Sequence, residues 1–386
     1  MKIVHIAASA PYNDYWGYQD NLLPKYHVRL GHDVTVLTTN LRTEGGEVRE
    51  GPCGDYVLSD GVRVIRFRRK DYGNHILNNL TERIAVFDVL KDISPDVIFF
   101  HGLVSSSIYD AVKYKKKINP SCVIIQDNHL DPGNHADGAS GIKRRVIRAF
   151  HRMRVKRTIS AISKVYGVTP RRKRYSEEYF GVPKEKTGVL IMGADDDAVR
   201  LAEKQTIRDR IRGQYGISDD AFLIVTGGKI DEPKKIHLLM EAVRGMKDVK
   251  LLVFGSVAPG FEERFEEARN DNVIFTGWIS SEKTYDYFLA SDLSFFPGTH
   301  SVLWEQACAC KVPCVFAMWD GMDHVDCGGN SSFISPVSVG SIRDEIIRLR
   351  FTDEYYRMKS VAGSEATDIY LYSAIAKKSL ETVSDA

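Results

Sequence analysis

No apolar run in the chain approaches the ~20 residues that a membrane-spanning helix needs. The longest are short blocks such as Val97–Phe100 and Ala221–Val225. The start, MKIVHIAASA, imitates a secretion signal because Ala8-Ser9-Ala10 looks like a cleavage site. A single Lys and a short core broken by His5 make it a first buried strand instead. Paired C-x-x-C is absent as well. The six cysteines, at 53, 122, 308, 310, 314 and 327, read as reduced core thiols of a cytosolic protein, not as a disulfide frame. Cys308, Cys310 and Cys314 could be imagined as metal ligands, but small core residues fit their apolar setting better. No G-x-G-x-x-G follows the first strand; Ala8-Ser9-Ala10-Pro11 stands there, and a nicotinamide dehydrogenase loses its main support. A G-x-x-x-x-G-K-[ST] loop, a G-x-S-x-G elbow and an H-E-x-x-H pair are all missing, which removes P-loop, hydrolase and zinc-protease chemistry.

What is present is ordinary in bulk and uneven in distribution. Of the 386 residues, 43% are apolar and 27% charged, so disordered and fibrous classes are excluded and two domains are expected. The net charge of +2 hides a polarity: residues 1–190 hold 31 Lys+Arg against 20 Asp+Glu, and residues 191–386 hold 22 against 31. A basic first half meets an anionic partner. Its densest stretch, IKRRVIRAFHRMRVKR at 142–157, has eight basic residues and no acid. Ile142, Val146, Ala149, Phe150 and Met153 fall near helical spacing beside Lys143, Arg144, Arg145, Arg148 and Arg152. That is the pattern of a helix lying on an anionic membrane surface. Clusters at Arg171–Arg174 and around Arg66–Lys70 add to the field. With no zinc-ligand spacing, RNA-binding aromatic signature or KH-type loop, nucleic acid is not the expected partner. A solvated face without any partner is the plainer alternative.

Strand-like and helix-like runs alternate along the chain. Strands are expected at Lys2–Ala8, Asp33–Thr39, Val62–Phe67, Asp96–His101, Cys122–Asp127 and Lys164–Thr169. A second set follows at Ala221–Thr226, Lys250–Phe254, Val273–Phe275, Leu293–Phe296, Cys314–Ala317 and Ser332–Ile334. Helical runs separate them, including Gln19–Leu30, Ile76–Lys91, Ser105–Lys117 and Ile142–Ser160. Short links between alternating elements predict parallel sheets covered by helices, an α/β fold of two doubly wound halves. The seam is expected around Gly188–Ala198. Boundaries follow at 1–190, 191–365 and 366–386, with the last helix packing back toward the first domain. Two such domains facing each other leave a cleft at their strand C-termini, where open α/β sheets bind ligands.

The second half carries polar residues at those ends. Thr226-Gly227-Gly228-Lys229 closes one strand and Lys234-Lys235 follows. Glycine lets a phosphate approach the backbone, and two Lys neutralise a diphosphate. Phe296-Pro297-Gly298-Thr299-His300-Ser301 ends another strand and opens a helix whose free N–H groups would attract an anion. Glu305, one turn in, suits a pair of sugar hydroxyls. Each piece alone reads as a glycine turn, a capped helix or an exposed Glu. Together they favour a nucleotide diphosphate site. Asp195-Asp196-Asp197 contains a D-x-D string at the seam and reads as a turn, so no metal site is assigned.

These residues resemble the retaining GT-B glycosyltransferases of family 4. Gly228-Lys229-Ile230-Asp231-Glu232-Pro233-Lys234-Lys235 is similar to that family's G-R-L-x-x-x-K-G block. Val273–Ile279, with Gly277-Trp278-Ile279, is similar to its V-x-F-x-G-x-V strand. Trp304-Glu305-Gln306-Ala307 through Val312-Pro313-Cys314-Val315 is similar to its E-A-M-A-x-G-x-P-V-V signature. Ile191-Met192-Gly193-Ala194-Asp195 resembles its I-P-N-G-V-D. The first half resembles it more weakly, through Gly31–Val36, Asp96-Val97-Ile98 and Val168-Thr169.

The resemblance implies the GT-B fold, with two Rossmann-like domains facing a central cleft and a C-terminal helix returning to the first. It implies transfer of a sugar, with retention, from a nucleotide-diphosphate-sugar, a UDP-sugar by expectation; with two Lys to stabilise the diphosphate, no metal or other cofactor is expected. The basic surface of the first half favours a lipid-linked or other saccharide acceptor there, in polysaccharide or glycolipid synthesis, as an expectation. The location is the cytoplasm or the cytoplasmic face of a membrane. Lys229 and Lys234 stand where the family grips the diphosphate. His129 matches a histidine that faces the transferred sugar. Gly17 stands near a glycine loop facing the donor phosphates, and Glu305 aligns with the second glutamate of the E-x7-E pair, which holds the ribose. Gly228, Trp278, Ile279, Thr299, His300 and Ser301 complete the implied donor site. One departure is plain: the first glutamate of the pair is missing, Pro297 stands eight residues before Glu305, and the loop is shortened. A nucleotide-sugar 2-epimerase on the same fold and a non-catalytic nucleotide-sugar-binding subunit are the competing readings.

Overall fold

The computed structural model describes residues 1–132 and 141–384. Two units divide the chain, Met1–Ile191 with Ile375–Ala386, and Met192–Ala374. The first is built on an eight-stranded sheet. Its strands are β1 (Lys2–Ala7), β2 (Asp33–Thr39), β5 (Gly54–Val57), β6 (Arg63–Phe67), β7 (Val97–Phe100), β8 (Val123–Asn128), β9 (Lys164–Gly167) and β10 (Thr187–Val189). They lie in the order β10-β9-β8-β7-β1-β2-β6-β5. A separate hairpin joins β3 (Leu41–Glu44) to β4 (Glu47–Glu50).

Every pair in the large sheet is parallel except β5–β6. The antiparallel β5 and the hairpin depart from the all-parallel expectation. Gly45 and Gly46, both at positive φ, make the two-residue turn that folds β3 onto β4. In β7 all four side chains are out of water, as a central parallel strand sandwiched by helices requires. Ile98, Phe100 and Ile124 form the core there with Tyr114 and Phe180 from the covering helices.

The expected helix Ile76–Lys91 is two helices, His75–Thr81 and Phe87–Ile93. Between them Glu82 takes a left-handed backbone, and Ile84 and Val86 turn fully inward. Their N–H groups donate to Ser107 Oγ at 2.9 Å and Asp110 Oδ2 at 3.1 Å, so the two inward-turned residues keep their backbone donors paired.

The second unit has β11 (Phe222–Ile230), β12 (Val249–Val257), β13 (Val273–Phe275), β14 (Leu293–Phe296), β15 (Cys314–Ala317) and β16 (Ser331–Ile334). They form one all-parallel sheet in the order β13-β12-β11-β14-β15-β16. Its core gathers Ile224, Leu251, Val253, Phe265, Phe295 and Ile346. The helix Lys204–Tyr215, stopped by left-handed Gly216, was not expected. Cys308, Cys310 and Cys314 are buried free thiols. Both sheets have their order reversal beside the first strand of the unit, the arrangement that opens a crevice at strand C-termini.

Candidate functional site

In the second unit the implied donor residues cluster after β11 and β14. Gly228, at φ +112, lies within the last part of β11, a conformation a side chain would strain. Lys229 points out, 67% exposed, and pairs with Asp231 at 3.1 Å. Asp231 caps the short turn Glu232–Lys234, its side chain accepting from the Lys234 N–H at 3.2 Å. That turn aims Lys234 across the sheet end. Its Nζ donates to the carbonyls of Thr299 at 2.7 Å and His300 at 2.9 Å. The Thr299 N–H in turn donates to the Pro233 carbonyl at 3.0 Å.

The Thr299–Ser301 segment is therefore not the open helix start expected. The helix begins at Leu303, and the Thr299 N–H is already bonded. Backbone pairing explains the difference: the shortened loop is stitched to the Pro233–Lys234 turn from both sides. Gly298 makes that approach possible, because a Cβ there would stand 2.3 Å from the Lys234 carbonyl group. Gly298→Ala is expected to push the two segments apart and cost ~1–3 kcal/mol of stability. Chemical denaturation checks it, and an unchanged midpoint would mean that the stitching is loose.

Glu305 is fully buried, not exposed at a cleft wall. Its Oε1 lies 2.8 Å from Nε2 of His300 and 2.8 Å from Nε2 of His324. Burial alone would raise its pKa; His300 first, then His324, outweigh burial and hold the carboxyl at about 2. Trp304 stacks on Phe316 at 4.5 Å and meets the His300 ring edge-on at 5.2 Å, so the trio has an apolar wall. Oε2 of Glu305 is buried with no hydrogen-bond partner among the described residues. His324, on the turn Asp323–Val325 after β15, was missed by sequence reasoning. Nothing in its spacing marks it, since a loop brings it in. Trp278, 74% exposed, and Ile279 follow β13, which lies three strands from β14 at the sheet edge. Among the described residues, no hydrogen bond, ion pair or ring contact joins them to the Glu305 group.

In the first unit Gly17 lies in the loop between β1 and the helix Gln19–Arg29. A Cβ at Gly17 would meet nothing within 4 Å, so packing does not demand glycine there. Buried Arg66 fixes the loop, bonding Asp14 at 2.7 Å and the Tyr12 carbonyl at 2.9 Å. His129 follows β8, one-third exposed, with Nε2 3.3 Å from Asp127 Oδ2. Asp127 also bonds His101 at 2.7 Å and the Gly102 N–H at 2.9 Å. Burial would raise the Asp127 pKa; His101 and then His129 bring it well below the carboxylate range. An i, i+2 pair shares one face of a strand, so Asp127-x-His129 was a readable signal that went unused.

Two groups hold ligand atoms within 4.8 Å of one another: His101, Asp127 and His129, and His300, Glu305 and His324. In both, the imidazoles aim at a carboxylate oxygen over 2.7–3.3 Å, spacing that hydrogen bonds satisfy with protons.

The basic stretch forms the helix Gly141–Thr158. Its expected apolar stripe faces water, with Ile142 81% and Val146 63% exposed. Arg144, Arg145, Arg148 and Arg152 are exposed beside it; the side chain of Lys143 lies outside the described residues. Arg148 and Arg152 each donate to the Glu178 and Tyr179 carbonyls, so they also brace the turn Ser176–Phe180.

Known proteins share this architecture. Residues 23–193 match the family model described as Glycosyl transferase 4-like domain. Residues 207–358 match that of Glycosyl transferases group 1. The chain is 24% identical over 303 residues to a putative teichuronic acid biosynthesis glycosyltransferase, TuaC of Bacillus subtilis, covering 76% of this chain and 72% of that protein. Sucrose-phosphate synthase of Thermosynechococcus elongatus has a similar structure, with TM-score 0.69, 16% identity, and 100% and 98% of the two chains covered. HepE of Anabaena, solved with UDP and glucose, gives TM-score 0.65 at 17% identity over 100% of both chains. The chain thus has the GT-B fold of two Rossmann-like units, with a match to the Glycosyl transferase 4-like domain over residues 23–193 and to Glycosyl transferases group 1 over residues 207–358.

Proposed function

We propose that this chain transfers a sugar from a UDP-sugar to an acceptor hydroxyl, with retention at the anomeric carbon, in building a cell-surface polysaccharide or glycolipid. The observation that carries the reading is the stitching of the turn after β11 to the segment after β14: Lys234 holds the Thr299 and His300 carbonyls, and His300 holds Glu305, at strand C-termini of the second unit. The solved UDP complex of HepE supports the base, and the name of the Bacillus relative supports the product class.

Negative charge grows on the leaving diphosphate in the transition state. Fixed positive groups that need not reorganise stabilise it best. Lys229 supplies an exposed charge paired with Asp231, and Lys234 a charge already held in place by two carbonyls. No metal enters in this reading. Glu305 is closed off by two imidazoles, so ribose hydroxyls reach it by displacing one of them and pairing the idle Oε2. His129, oriented by Asp127, is assigned to the transferred sugar by the family resemblance. Free UDP, measured with a panel of UDP-sugars and a lipid-linked saccharide acceptor, tests the transfer. Release above that of a Lys234→Ala control, with donor and product sharing one anomeric configuration by NMR, is expected. Inversion would overturn retention. UDP release from no donor would shift the reading to a non-catalytic nucleotide-sugar-binding subunit, which the missing first glutamate favours.

The acceptor is proposed to bind the first unit at a membrane surface. Exposed Ile142 and Val146 beside Arg144 and Arg145 suit an anionic interface. At low salt the chain is expected to sediment with phosphatidylglycerol vesicles and not with phosphatidylcholine vesicles, and Ile142→Asp with Val146→Asp to abolish it. Failure of the wild type to sediment would contradict the membrane assignment and leave the transfer reading intact.

A further inference from the structure

Behind His129 runs an unbroken line of polar side chains, all within the first unit. Asp127 Oδ2 takes His129 on one side and His101 Nδ1 on the other, at 3.3 and 2.7 Å. His101 Nε2 is 3.1 Å from His5 Nδ1. His5 Nε2 is 3.0 Å from His27 Nδ1. His27 Nε2 is 2.8 Å from Ser379 Oγ. Every member except His129 is buried. The line crosses β1, β7 and β8 and joins the helix Gln19–Arg29 to the helix Tyr372–Ser379.

The far end fixes its polarity. The Ser379 hydroxyl has one hydrogen and donates it to the Ala376 carbonyl at 2.8 Å. The same carbonyl bonds the His27 ring. Carbonyls only accept, and this hydroxyl is already committed, so His27 Nε2 must carry a proton. A neutral imidazole has one N–H. His27 Nδ1 is then an acceptor, and His5 Nε2 must be its donor. His5 Nδ1 is an acceptor in turn, and His101 Nε2 must be its donor. His101 Nδ1 meets a carboxylate that also takes the Gly102 N–H, so it too donates.

We propose that this line stores one proton at His101, held as an imidazolium against the Asp127 carboxylate, with His5 and His27 neutral and protonated at Nε2. The balance closes: two protons on the His101 ring, one on His5, one on His27, none on Asp127, and no net charge buried. The reverse polarity would need Ser379 to release Ala376 and would store nothing.

The surroundings agree. Burial opposes charge on His101, yet Asp127 outweighs it and raises the His101 pKa, with a smaller contribution from Asp20. Burial first, then His27 and His101, push His5 well below the ordinary range, against Asp127. Burial takes His27 to about 3, with His32 and His101 adding to the fall and the Ala376 carbonyl opposing it. The consequence is local. His101 keeps Asp127 ionised, and an ionised Asp127 can only accept, so His129 is held with Nε2–H toward it. That His129 serves a transferred sugar rests on the function proposed above; the proton count does not.

Long-range nitrogen–proton NMR on protein labelled at its 11 histidines reads each ring directly. His5→Gln, His27→Gln and His101→Gln assign the signals. At pH 7 the expected spectrum has His101 protonated on both nitrogens, and His5 and His27 on Nε2 alone. In Asp127→Asn, His101 loses its Nδ1 proton while His27 keeps its form. A singly protonated His101 in the wild type at pH 7, or Nδ1–H forms of His5 and His27, overturns the proposal whether or not the chain is a transferase. If Asp127→Asn does not fold, the wild-type spectrum decides alone.

Discussion

Lys234→Ala is expected to lower turnover by ~10²–10³-fold while the fold survives. Two effects combine. The variant removes a charge at the proposed diphosphate position, and charge stabilisation commonly contributes more than any other effect to such rate enhancements. It also removes the donor shared by the Thr299 and His300 carbonyls, which loosens the segment holding His300 against Glu305. The second effect alone costs ~1–3 kcal/mol, so circular dichroism and thermal melting must accompany the rate. Lys234→Gln separates the two, since its amide can donate to a carbonyl but carries no charge. The expectation is a stability nearer wild type with turnover still lost. Activity close to wild type in either variant would sink the role given to Lys234.

Glu305→Gln is expected to have the largest effect on stability. The Glu305 pKa is held at about 2, below its ordinary 4.5. A depressed carboxylate pKa contributes stability that is fully present above the unfolded value and is lost as pH falls through the folded one. The window is therefore pH 4.5 down to about 2. The shift corresponds to ~3 kcal/mol at neutral pH. Glutamine keeps the shape and an acceptor but cannot titrate. The variant should be less stable at pH 7, and the gap to wild type should close on acidification. Equal stability at pH 7, or a gap constant across that window, would show that His300 and His324 do not hold the charge.

Much of the fold was readable because burial leaves a strong imprint. Blocks such as Val97–Phe100 and Phe222–Val225 are apolar on both faces, and both are central parallel strands. The missed elements lack that imprint. The hairpin strands Leu41–Glu44 and Glu47–Glu50 are polar and exposed, and only Gly45-Gly46 announces them. Helix Lys204–Tyr215 is mostly polar. Its inner face is Ile207 and Ile211, plus a buried Arg212 that donates to Asp292 at 2.7 Å and to the Ser218 and Ala221 carbonyls.

At the site, residue types were legible and partners were not. Lys234 and Glu305 were identified from strand-end position and family resemblance. That Lys234 braces carbonyls and Glu305 sits between two histidines depends on loop closure across the sheet. His101 just after β7, His5 on β1 and His27 on the helix Gln19–Arg29 are brought together with Asp127 by the β8-β7-β1 order, which no local spacing encodes.

The most direct test of the central claim is thermal stability with UDP, GDP, CDP and TDP, on wild type and Glu305→Gln side by side. A nucleotide at 100 times its dissociation constant adds about 2.7 kcal/mol, a shift of several degrees for a domain of this size. The account predicts that UDP alone raises the wild-type midpoint by that much and leaves Glu305→Gln nearly unmoved. No shift with any of the four, or equal shifts in both proteins, would contradict a nucleotide site built around Glu305.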